Sequence, residues 1–237
     1  MAKHGDTGRP LAGGRPTLGR RELAALAVAL TLAAVAVIVA LAVRGSSAAA
    51  RAPVGLPASH PTTTVGPHYD GLTVTHPQTA PALALRDHLG APVNLASYRG
   101  KAVLVTFIYT HCPDTCPLIV SQLHAALHQM SAAERAQLQI IAVSADPRGD
   151  TPATVTRFLA GREMTGQMLY LIGSAHALGA VWAHWGIASQ RDASNPALVE
   201  HTALIYGISA HGRITVVYPA NFTPAEIVHD ARLLARA

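Results

Sequence analysis

Cysteine is nearly absent from this chain: Cys112 and Cys116 are the only two in 237 residues. At most one disulfide can form within the chain, and any thiol chemistry is confined to a single stretch. Internal repeats are absent as well, which sets repeat architectures aside. Clustered positive charge is missing from most of the sequence. The formal charge of +5 arises largely at the N-terminus, where residues 1–44 hold Lys3, Arg9, Arg15, Arg20, Arg21 and Arg44 against Asp6 and Glu22. Residues 45–237 then carry 12 basic and 11 acidic groups. A nucleic-acid face needs clustered cations to displace counterions, so that class of partner is excluded.

What is present begins with an apolar run from Leu23 to Val43, interrupted only by Thr31. As a helix it spans roughly 31 Å at about 1.5 Å per residue, the depth of a bilayer core. Arg20 and Arg21 stand directly before it, and such flanking charge keeps the preceding segment (1–22) in the cytoplasm. Residues 23–43 are therefore expected to be a transmembrane anchor, with everything after Val43 extracytoplasmic and the protein single-pass at the cell membrane. A cleaved signal is the alternative, since Ala48-Ala49-Ala50 offers a peptidase small residues. Residues 44–80 are rich in Ala, Pro, Thr, Ser and Gly with no apolar period, which reads as a flexible linker.

Residues 81–237 read as one globular domain. Short strands are expected at 82–86 and 92–95, around a turn at His88-Leu89-Gly90. The run 102–109 is continuously apolar and β-branched, the pattern of a strand buried on both faces. A helix is expected over 118–130, with Leu118, Leu123, Ala126, Leu127 and Met130 inward. A strand at 139–144 follows, then a helix opened by Thr151 as cap and Pro152 in its first turn. A strand at 168–172, a helix at 175–182 and a polar loop at 189–198 come next. Strands at 202–208 and 213–218 flank the turn Ser209-Ala210-His211-Gly212. Thr223-Pro224-Ala225-Glu226 forms a capping box that opens the last helix. Strands alternating with helices and ending in a hairpin plus helix suit an α/β, thioredoxin-like sandwich with a central mixed sheet.

The two cysteines lie in Tyr109-Thr110-His111-Cys112-Pro113-Asp114-Thr115-Cys116-Pro117, between a buried strand and a helix start. Unpaired N–H groups and the helix dipole favour thiolate there. The spacing brings both sulfurs to one side if the second lies in the first helical turn. Two thiolates aimed at one point suit a soft ion such as Cu(I). A plain disulfide is the competing reading for an exported protein, although so short a loop gains little from being closed. Spacing alone leaves both open.

The stretch Phe107-Ile108-Tyr109-Thr110-His111-Cys112-Pro113-Asp114-Thr115-Cys116-Pro117-Leu118 resembles the copper-binding stretch of the SCO/SenC family. Val143-Ser144-Ala145-Asp146-Pro147-Arg148-Gly149-Asp150-Thr151-Pro152 is similar to that family's next landmark. Val199-Glu200-His201-Thr202 stands where the family places its histidine ligand, and Gly100-Lys101 before the buried strand also fits. The resemblance covers about residues 83–218. It implies that Cys112, Cys116 and His201 bind one copper ion, as Cu(I) or Cu(II). It further implies service in assembling the dinuclear copper centre of cytochrome c oxidase, as metal donor, as thiol reductant, or both. Glu200 departs from the Asp expected beside the ligand, and Ala145 from Val.

The remaining candidates are weaker. His111 adjoins Cys112, but neighbouring side chains seldom converge on one metal. Asp114 and Asp146 fit turn roles. His60, His68 and His76 recur in the linker, and His124 and His128 share a helix face; all are expected to be exposed polar positions. Trp182 and Trp185 are expected to pack. The expected partner is the copper-receiving subunit of cytochrome c oxidase or another extracytoplasmic copper protein. Under this reading oxidation to a Cys112–Cys116 disulfide empties the site. The alternatives are a thiol–disulfide oxidoreductase and a copper or redox sensor. The spacing one residue longer than CxxC, and Thr202 rather than proline before the next strand, count against a general oxidoreductase.

Overall fold

The computed structural model describes residues 68–195 and 198–237. The basic N-terminus, the apolar run 23–43 and the linker as far as residue 67 lie outside the described residues. Among the described residues no helix is long and apolar enough to cross a membrane. In chain order the elements are β1 (Leu72–Thr79), β2 (Ala84–Asp87), β3 (Pro92–Asn94), β4 (Ala102–Ile108), α1 (Thr115–Gln129), α2 (Ala132–Ala136), β5 (Leu138–Ser144), α3 (Pro152–Ala160), β6 (Met168–Ile172), α4 (Ala175–Trp185), β7 (Ser189–Arg191), β8 (Val199–His201), β9 (Leu204–Ile208), β10 (Arg213–Pro219) and α5 (Pro224–Leu234).

Every residue of β4 is buried, because β4 lies inside an eight-stranded sheet of order β1-β10-β9-β4-β5-β6-β2-β3 with apolar layers on both sides. Its side chains alternate between them. Leu104 and Ile108 join a core shared with α1, α3 and α5 through Leu123, Phe158 and Ile227. Val103, Val105 and Phe107 meet α4 through Leu178, Val181 and Trp185. Each such fully buried side chain contributes about 1.5–3 kcal/mol relative to exposure. β4, β5 and β6 are parallel, as strands joined through crossover helices must be. β9 runs antiparallel to β4 and β10 antiparallel to β9, so the sheet is mixed, as expected. Gly212, with φ at +72°, closes the β9–β10 turn in a conformation that L side chains avoid.

Three local expectations need correction. The linker does not extend to residue 80: Leu72–Thr79 is an edge strand paired antiparallel to β10, with a register shift between Thr73 and Gln78. Most of its side chains are exposed, so it shows no apolar period. It is held by ladder bonds and by the buried Asp230, whose carboxyl accepts the N–H groups of Asp70 at 2.8 Å and Gly71 at 2.9 Å. The expected loop 189–198 starts in a strand, with Ser189–Arg191 pairing Val199–His201 in a separate two-stranded sheet. Helix α1 begins three residues earlier than expected, which leaves Leu118 47% exposed while Ile119 and Val120 turn inward.

Candidate metal centre

The site is built where β4 ends. Tyr109 follows the strand, and the chain then loops over residues 110–114 into α1. Asp114 starts the helix, its carboxyl accepting the N–H of Thr115 at 2.5 Å. That places Cys116 in the first turn. Its backbone N–H has no partner within the helix and points at Cys112 Sγ, 3.3 Å away. Cys112 is 8% exposed and Cys116 fully buried, and neither sulfur is in a disulfide.

The same two sulfurs are electrostatically unequal. The Cys116 thiol donates to Cys112, and the His201 side chain and the N–H groups of Cys116 and Asp114 also favour its thiolate; together they outweigh burial and hold Cys112 down at about 4. Cys116 moves far upward, because it gives that hydrogen bond, is buried, and faces the charges of Cys112 and Asp150. At neutral pH the pair is one thiolate and one thiol.

His201, at the end of β8, completes the group. Its Nε2 lies 3.5 Å from Cys116 Sγ, and its Nδ1 lies 3.2 Å from the carbonyl oxygen of Thr202. A carbonyl only accepts, so this contact suits the tautomer with its proton on Nδ1, which frees Nε2 for a bound ion. The backbone carbonyl of Thr202 is thus the partner of the ring's second nitrogen, and Glu200 is exposed. Cys112, His201, Tyr109 and Asp114 line one open cleft of about 420 Å³, with Cys116 beneath it.

Several residues that sequence reasoning missed, or read only as turn residues, position this set. Asp150, just before the α3 cap, is buried under the loop. Its Oδ1 accepts the N–H and the hydroxyl of Thr110, both at 2.8 Å, and its Oδ2 accepts Ser144 at 2.6 Å and Tyr170 at 2.8 Å. Burial lifts its pKa above the ordinary carboxyl value against these four donors. Tyr109 joins the two halves of the site: its hydroxyl accepts the Val199 N–H at 3.3 Å, and its ring meets the His201 ring edge-on at 5.6 Å. Arg191 on β7 forms an ion pair with Asp146, and Ser189 Oγ donates to Ala145 O at 2.9 Å. These contacts dock the hairpin that carries His201 against the β5–α3 loop. Asp146 is thus more than a turn residue. A Cβ at Gly149 would sit 2.5 Å from Asp146 Oδ2 and 3.0 Å from His111 Nδ1, so any larger residue there must displace the Asp146 carboxylate. His111 itself is exposed, 3.2 Å from Thr110 Oγ1.

Another group of potential ligands, Asp70, His229 and Asp230, gathers at the start of β1. Its buried member is already occupied: besides the two N–H groups, Asp230 accepts Tyr218 at 2.9 Å and His229 Nδ1 at 2.7 Å. This cluster is a structural clamp.

Residues 73–236 match the SCO1/SenC family model. The mitochondrial Protein SCO2 homolog of Mus musculus is 29% identical over 153 residues, a match covering 63% of this chain and 59% of that protein. The chain thus spans less than two thirds of that relative's length. The solution structures of apo Sco1 from Thermus thermophilus superpose with a TM-score of 0.62 at 28% identity, covering 70% of this chain and 97% of that one. The structure of Bradyrhizobium japonicum ScoI with copper bound gives a TM-score of 0.57 at 27% identity, covering 66% and 99%.

Proposed function

Because this chain belongs to the SCO1/SenC family, we propose that it is an extracytoplasmic copper-binding protein that receives and hands on one copper ion through Cys112, Cys116 and His201. The observation that carries the proposal is the convergence of three donor atoms: the Cys112 sulfur, 3.3 Å from the Cys116 N–H, the Cys116 sulfur, and the His201 Nε2, 3.5 Å from it. A cation held among them takes the place of the Cys116 thiol proton. Loading needs only that proton to leave. Two thiolates and one neutral imidazole then hold Cu(I), and the nitrogen also makes Cu(II) tolerable. The cleft is open on the Cys112 side, so an acceptor's thiolate displaces one ligand at a time without the ion being released to water.

Residues 23–43 anchor this domain at the outer face of the cell membrane, and the stretch from 44 to the first strand is its tether. The acceptor is the copper-receiving subunit of cytochrome c oxidase or another extracytoplasmic copper protein. Copper here is cargo. Oxidation to a Cys112–Cys116 disulfide removes both sulfur donors and couples loading to redox state.

A second reading, thiol–disulfide reductase of the acceptor, is favoured by the asymmetry of the pair. A thiolate at the wall of the cleft above a fully buried thiol is the arrangement of an attacking and a resolving cysteine. Metal analysis with thiol counting on the reduced protein, offered copper and zinc together, tests the first reading. One copper per chain with both thiols masked is expected. Zinc uptake in preference contradicts it, and disulfide turnover by metal-free protein on varied substrates supports the reductase.

A further inference from the structure

Helix α1 carries Cys116 at its start and, further along, two histidines that take no part in the site described above. His124 and His128 stand one turn apart, His128 exposed and His124 half-buried. Their Nε2 atoms are 2.7 Å apart, with ring centroids at 4.4 Å and planes at 78°. Two imidazole nitrogens bound to one ion at about 2.0 Å and about 90° stand about 2.8 Å apart. The side chains are therefore already at the bite of a chelate, and the hydrogen bond between them holds them there. Histidines at this spacing on one helix face also supply two ligands of known zinc sites. An open hollow beside His128 is lined by Leu127, Arg135 and Gln167. Arg135 donates from its guanidinium to the carbonyls of Leu127 and Met130.

We propose that His124 and His128 form a second, surface site for a divalent transition-metal ion, Cu(II) before Zn(II), with water in the remaining coordination positions. The preference follows from the stability order of nitrogen donors. The eight residues from Cys116 to His124 span about 12 Å along the helix, so this site is separate from the cysteine pair. It stands on the geometry of α1 alone and does not depend on what Cys112, Cys116 and His201 do.

The test uses the full chain with Cys112→Ser and Cys116→Ser, which removes thiol oxidation by Cu(II). Glycine is added to compete away isolated imidazoles, because the sequence holds thirteen histidines. Titration with Cu(II) is expected to give one nitrogen-coordinated electron paramagnetic resonance signal per chain. Adding His124→Gln and His128→Gln should abolish it, and either change alone should weaken binding at least ten-fold. Identical copper content and spectra in all four proteins would overturn the proposal. Diethylpyrocarbonate labelling of the same Cys112→Ser, Cys116→Ser chain gives an independent readout. Cu(II) should protect His124 and His128, and equal modification with and without the ion refutes the site.

Discussion

Proton release on copper loading follows directly from the inequality of the two sulfurs. With Cys112 held at about 4, its thiolate fraction at pH 7.5 is above 99%, roughly three and a half units past its midpoint. Cys116, moved far upward, is fully protonated at that pH. Binding of Cu(I) should therefore expel one proton per ion. Two thiols at the ordinary value near 8.5 would expel about 1.8. The assay is calorimetry at pH 7.5 in buffers of different ionisation enthalpy, with Cu(I) delivered from a chelator of known proton exchange. The number should climb above one as pH falls toward 4 and Cys112 takes up its proton. In Cys116→Ser it should drop to near zero at pH 7.5, because the serine hydroxyl and the residue 116 N–H still donate to the Cys112 sulfur and keep it ionised. Release close to two at pH 7.5 would mean that Cys112 is an ordinary thiol, and the account of the paired sulfurs would fail.

Alkylation should report the same asymmetry in metal-free protein: Cys112 reacts at a rate constant with pH above about 6, while Cys116 stays unmodified until the fold is lost, as peptide mapping will show. The depressed Cys112 value also stabilises the fold, a contribution present in full above the unfolded thiol value and lost as pH falls through about 4; urea midpoints for Cys112→Ser should lack that dependence. Asp150→Ala strands four donors beneath the loop, costing about 3–5 kcal/mol, or a melting temperature lower by about 6–20 °C; a shift under about 2 °C would refute the anchoring role. Tyr109→Phe keeps the ring against His201 but leaves the Val199 N–H without its acceptor. It should cost about 1–3 kcal/mol and weaken copper retention against a chelator.

Much of this architecture was legible in the residues, and the failures have physical causes. β4 and β5 announced themselves because burial on both faces demands unbroken apolar runs, and the capping residues of α3 and α5 stood where their chemistry requires. β1 was hidden because an edge strand needs only its backbone, and its side chains face water. The β7–β8 hairpin was hidden because its strands are three residues long and polar, held by Arg191, Ser189 and Tyr109 reaching far across the sequence. α2 carries a capping box of Ser131 and Glu134 that a closer reading would have found. At the metal centre, the cysteines and His201 were reached through family resemblance, whereas Asp150 looked like an ordinary residue before a helix. Its function lies in partners 40, 6 and 20 positions away, which no local pattern encodes.

The central claim is that two sulfurs and one imidazole from distant parts of the chain hold the same ion. X-ray absorption of the Cu(I)-loaded protein, alongside His201→Ala, tests it most directly. Two sulfur donors and one nitrogen donor are expected in the unsubstituted protein, with the nitrogen lost in the variant. An unchanged nitrogen contribution in His201→Ala, or copper bound with no sulfur donor, would contradict it.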